Sequence, residues 1–247
     1  MPNNITRRVA LRMIFMATTA FVVTPYALGR EYGKGLGMPW EPGVADVPHL
    51  GTLPESFLSE HELATVNAIA ARLIPTDEDG TGAIEAGVGD FIDRQLASFY
   101  GRGQHWYMQG PFSEGLATQG YQQAHPPAQL YRLAIAELDR VLHARHGTAF
   151  VNLPIETQDD VLKAMDDEGM EFASVSAKAF FDLILENTIE GFFADPIYGG
   201  NRDMVGWRYV GFPGTRYDYR DFVGHNGARI ELPPVSLSGG SHWTQQD

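Results

Sequence analysis

Residues Phe172–Phe193, FASVSAKAFFDLILENTIEGFF, decide the fold. Apolar side chains at Phe180, Phe181, Leu183, Ile184, Leu185 and Ile189 fall on nearly every side of a helix drawn through this stretch. A helix that is apolar all round must be covered on all sides, so it predicts the buried centre of a helical bundle.

Four further helices read outward from that centre. Ser59-Glu60-His61-Glu62 has the form of a capping box, in which Ser59 accepts from an orphan N–H and Glu62 reaches back. Leu63, Val66, Ile69, Ala70, Leu73 and Ile74 follow at helical spacing until Pro75. A second run places Val88, Phe91, Ile92, Leu96 and Phe99 on one face, with Gly101 as its end. Residues 101–127, with Trp106, Tyr107, Phe112 and Tyr121 among glycines and prolines, predict an aromatic-rich loop. A third helix carries Leu130, Leu133, Ala134, Leu138, Val141 and Leu142 and stops at Gly147. Thr157-Gln158-Asp159-Asp160 is read as the cap of a short fourth helix with Val161, Leu162 and Met165. The expectation is therefore a mainly α chain with a helical core over about 59–193. Long irregular arms flank it, a Gly/Pro-rich one over 31–54 and an aromatic one from about 194 to 247.

The chain has 247 residues, 18 basic and 31 acidic, for a formal charge of −13. Such an excess of acid disfavours a sequence-independent nucleic-acid binder, which needs a basic face. There is no cysteine. Disulfides, thiolate catalysis, cysteine-held iron–sulfur clusters and thioether-attached haem are thereby excluded. The N-terminus has the layout of an export signal: Arg7, Arg8 and Arg12, no acid, then the apolar run Met13–Val23. That run is about half of the ~20 apolar residues a membrane-spanning helix needs. Arg7-Arg8-Val9-Ala10-Leu11-Arg12 resembles a twin-arginine signal, and a Sec signal with an incidental Arg pair shares the layout. Cleavage after Gly29 would make residues 1–29 the signal and 30–247 a single domain, and would take the charge from −13 to −16.

Templates for self-contained chemistry find little support. His143 and His146 have the spacing of a metal pair, but a helix end also attracts cationic side chains, and no third ligand accompanies them. Asp77-Glu78-Asp79-Gly80-Thr81-Gly82 begins like a calcium loop, yet its twelfth position is Val88 where a bidentate Glu is required. Gly33-Lys34-Gly35-Leu36-Gly37 fits neither the dinucleotide fingerprint nor the P-loop. No Gly-x-Ser-x-Gly elbow or His-Glu-x-x-His motif occurs.

The densest feature follows the central helix: DPIYGGNRDMVGWRYVGFPG, residues 195–214. Asp195-Pro196 and Gly199-Gly200 force a turn, Asn201, Arg202 and Asp203 can satisfy its backbone, and Trp207 with Phe212 can pin it by burial. On these grounds it is a rigid aromatic turn, either structural or interfacial. Together with LIPTDEDGTGAIEAGV at 73–88 and the paired arginines, it closely resembles the gluconate 2-dehydrogenase subunit 3 family over about Ser59 to Gly214.

The resemblance implies a non-catalytic small subunit of a periplasmic dehydrogenase complex. In such complexes an FAD-dependent large subunit of the glucose–methanol–choline type oxidises the sugar or sugar acid. A multihaem c-type cytochrome carries the electrons to quinone. The small subunit supplies the twin-arginine signal through Arg7 and Arg8 and supports export, folding and stability of the flavoprotein. The chain itself is then expected to hold no cofactor or metal and to meet the membrane only indirectly. Its partner interface is expected at Asp195, Pro196, Tyr198, Gly199, Gly200, Asn201, Trp207, Tyr209, Gly211, Phe212 and Pro213. Two other readings stay open: a free-standing periplasmic enzyme using groups such as His225 and Asp195, and a sugar-binding module with exposed aromatics.

Overall fold

A computed structural model of the chain describes residues 56–78, 80–113, 115–116, 118–215, 220, 223–224, 227 and 232–237. Six α-helices and no strand occur among them: α1 Glu60–Leu73, α2 Val88–Ala97, α3 Pro127–His146, α4 Ile155–Asp166, α5 Ala177–Phe193 and α6 Val205–Val210. Short 3-10 turns lie at Phe150–Asn152, Pro196–Tyr198 and Arg202–Met204. The expected mainly α architecture is what forms. The export signal with Arg7 and Arg8, the glycine-rich arm and His225 lie outside the described residues.

The central helix is α5, which touches each of the other five. Ser176 caps it by accepting from Ala179 N at 3.1 Å. Its buried side holds Phe180, Phe181, Leu183, Ile184 and Phe192, with Tyr131 of α3 edge-on to Phe180 at 5.3 Å. Two polar residues are buried with them, Asn187 and Thr188. The Tyr131 hydroxyl donates to Asn187 Oδ1 (2.9 Å), and Asn187 Nδ2 donates to the Tyr100 hydroxyl (2.7 Å) and to Glu190 Oε2 (3.1 Å). Burial pushes the Tyr100 phenol up to about 12 and the Tyr131 phenol well above its ordinary value, so both stay protonated, Tyr131 as a donor to Asn187 and Tyr100 as an acceptor from it.

α5 is not apolar all round. Ile189, expected in the core, is 46% exposed. With Asp182, Glu186, Glu190 and Phe193 it forms an exposed stripe, because positions 182, 186, 189 and 193 repeat at the 4-3-4 spacing of one helix face.

The other helices dock on this centre by ordinary local rules. The capping box of α1 forms in full: Ser59 accepts from Glu62 N while Glu62 accepts from Ser59 N. Buried Asp93 of α2 accepts from Phe57 N (2.9 Å) and Leu58 N (2.7 Å), which ties the approach to α1 onto α2. α3 ends at Gly147 in the left-handed region (φ 71°), as its sequence predicts.

Three boundaries differ from the sequence reading. α2 ends at Ala97, so Phe99 leaves the core face, becomes 51% exposed and stacks edge-on with His105. α4 begins at Ile155, so Thr157 to Asp160 lie inside it. Pro154 supplies the first acceptor carbonyl, to Gln158 N, and buried Gln158 donates to Phe150 O. α6 arises where no pattern was expected.

No described helix is long and apolar enough to cross a membrane.

Candidate interaction surface

The turn after α5 is assembled from a few buried side chains that saturate its backbone. Asp195 is buried; one carboxylate oxygen accepts from Ile197 N (3.0 Å) and the other from Leu237 N (2.8 Å). Both oxygens are committed to backbone, so Asp195 acts as a cap that also straps residues 232–237 onto the turn. Val235 completes the strap, pairing with Thr215 N at 2.8 Å.

Asn201 is fully buried in the left-handed region (φ 45°). Its Nδ2 donates to Ala194 O (2.9 Å) and its Oδ1 accepts from Gly206 N (2.8 Å), so one amide joins the end of α5 to the start of α6. Trp207, 5% exposed, donates from Nε1 to Phe193 O (2.8 Å) and meets Phe212 edge-on at 5.2 Å.

The two glycines are needed for different reasons. Gly199 adopts φ 100°, and a Cβ there would fall 2.3 Å from the Arg94 guanidinium. At Gly200 a Cβ would lie 2.2 Å from the Gly191 carbonyl oxygen, so the turn can press onto α5 only without a side chain.

The turn also docks on the segment 73–88. Arg202 N donates to Ala86 O (3.0 Å), the Arg202 guanidinium pairs with Asp90 of α2, and the Tyr209 ring lies against Gly80. Within that segment Thr76 donates to Glu85 (2.7 Å) and accepts from Gly82 N (2.8 Å). The Thr76 hydroxyl holds the Glu85 carboxyl below its ordinary range. The two stretches quoted as diagnostic, more than 100 residues apart, therefore form one platform.

The eleven predicted residues divide by burial. Asp195, Gly199, Gly200, Asn201 and Trp207 are interior supports, and Pro196 and Pro213 are intermediate. Tyr198 (45%), Tyr209 (64%), Gly211 and Phe212 (44%) face outward. Phe193, Val210 and Ile84 are further exposed apolar residues of the same segments that the sequence reading did not single out. Phe193 shares a helix face with the acids three and seven residues before it, Glu190 and Glu186, the one cue that could have marked it as outward. His143 and His146 are exposed on the last turn of α3, and no group of three or more His, Asp or Glu arranged to hold a metal occurs among the described residues.

The family model described as gluconate 2-dehydrogenase subunit 3 matches residues 60–214. The chain belongs to the gluconate 2-dehydrogenase subunit 3 family. The match spans all six helices and ends at Gly214, so the platform is family-defining sequence while the strap beyond it lies outside the match. No curated protein and no solved structure matches the chain.

Proposed function

We propose that this subunit 3 family member is the non-catalytic accessory subunit of a periplasmic, FAD-dependent sugar or sugar-acid dehydrogenase complex. It serves twin-arginine export, folding and stability of a flavoprotein large subunit of the glucose–methanol–choline type. One observation carries the reading: two distant family segments converge on a saturated, rigid platform that leaves Tyr198, Tyr209 and Phe212 facing outward. Large aromatic rings on a preorganised support are the usual anchors of protein interfaces, because little conformational freedom is lost when they are buried.

The chemistry of the chain agrees with an accessory role. The Asp195 carboxylate is consumed by backbone donors. With no cysteine the chain cannot attach haem through thioethers, so any haem c of the complex belongs to a cytochrome partner, and the same reading assigns FAD to the large subunit. Arg7 and Arg8 supply the export signal, and any contact with the membrane runs through the cytochrome.

The test is co-purification of the large subunit with tagged wild-type chain and with the triple variant Tyr198→Ser, Tyr209→Ser, Phe212→Ser. Recovery should fall at least about ten-fold, the loss expected when two or more aromatic anchors are removed. Undiminished recovery would reject this face as the interface.

A further inference from the structure

A second feature shares no residue with the platform. An open groove of about 1380 Å³ runs between the aromatic loop and the outward stripe of α5. One wall carries Trp106 and Tyr121, stacked at 4.5 Å, with Phe112 beside them. The other carries Asp182, Glu186 and Glu190, one helical turn apart, and Glu168 and Glu171 also line the groove.

Lys178 is the one basic residue lining this groove among the described residues, and it is already paired with Asp166 and Asp182. Glu168, Glu171, Glu186 and Glu190 make no ion pair among the described residues. Like charges at i, i+4 and i+8 repel one another along a helix, so this wall works against the stability of α5. Glu190 is additionally fixed in place, accepting from Asn187, which is itself held by Tyr131.

We propose that this groove seats a basic polypeptide segment of the dehydrogenase large subunit. Charge complementarity selects the occupant: the acidic wall attracts Lys and Arg, and aromatic rings opposite suit guanidinium groups. A sugar acid, being anionic, would be repelled from the same wall. Continuity selects the partner. The stripe Asp182–Glu186–Ile189–Phe193 runs from the groove to the platform, so a chain docked on Tyr209 and Phe212 is carried along α5 into the groove. The identity of the occupant rests on the accessory-subunit reading, whereas the shape and charge of the groove do not.

The full chain is titrated with the labelled peptide acetyl-(Arg-Gly)3-amide, followed by fluorescence anisotropy. Saturable binding is expected, weakened at least ten-fold in Asp182→Asn/Glu186→Gln/Glu190→Gln. The charge-matched variant Glu78→Gln/Glu156→Gln/Asp160→Asn, away from the groove, should lose less than two-fold. Should the groove triple variant fail to fold, the single surface change Glu186→Lys must reproduce the loss. Equal losses in both triple variants, no binding, or saturable binding of glucose in the groove in place of the peptide would overturn the proposal. Tighter peptide binding after removal of residues 1–29 would overturn it too, by assigning the groove to the chain's own Arg7, Arg8 and Arg12. Failure here leaves the platform co-purification result standing, so the two readings fail separately.

Discussion

Asn201 illustrates how much a single buried amide can hold. It bridges Ala194 O and Gly206 N from a backbone conformation that few residues other than Gly, Asn and Asp tolerate. Asn201→Ala leaves two buried backbone groups unpaired and places a Cβ-bearing residue without a compensating bond in the left-handed region. Unfolding by urea should show a loss of about 3 kcal/mol. Tyr209→Ser, at an exposed ring, should stay within about 0.5 kcal/mol. Glu190 presents the opposite case. It remains solvent-accessible as a residue, yet burial of its carboxyl raises its pKa, with Asn187 opposing and Glu186 adding to the rise. A carboxyl raised in the folded state contributes stability that is complete below its unfolded pKa and is lost as pH rises through the folded one. Gln resembles the protonated acid, so Glu190→Gln should match wild type near pH 4 and melt at higher temperature than wild type near pH 7. The same substitution weakens the groove proposed for a basic segment, as expected where a site is held against its own stability.

At the level of elements, the packing of α5 separates two apolar positions that the sequence places alike in the core. Phe180 is fully buried at the centre, so Phe180→Ala should cost about 4 kcal/mol in chemical denaturation. Ile189→Ala, on the outward stripe, should cost less than about 1 kcal/mol. Features governed by neighbours in sequence were legible: the Ser59–Glu62 box, the Gly147 stop and the central position of α5 each depend on residues within a few positions. Features set by distant residues were not. The outward face of α5 is defined by where α1 to α4 pack, and the 195–214 turn rests on Ala86, Asp90 and Arg94 of another segment. α6 spans only Val205–Val210, too few residues to show a period, and it forms because Asn201 and Trp207 fix its start. The set expected at the interface was read as one group because composition cannot distinguish a ring that supports a turn from one that projects from it. Trp207 does the first and Tyr209 the second.

At the scale of the whole molecule, two distant segments of the family-matched sequence, 73–88 and 195–214, build one surface platform on a helical core. Its acidic surplus is not spread evenly, since four carboxylates without ion pairs among the described residues share one groove beside an aromatic wall. A partner covering both platform and groove would bury the exposed rings and neutralise that charge together, which predicts that the assembled complex loosens as salt rises. The central claim is tested most directly by expressing the FAD-dependent large subunit with and without this chain and measuring the flavin content of the exported fraction. Exported, flavin-loaded large subunit is predicted only when this chain with its Arg7-Arg8 signal is present, and fully loaded, active and exported large subunit in its absence would contradict the account.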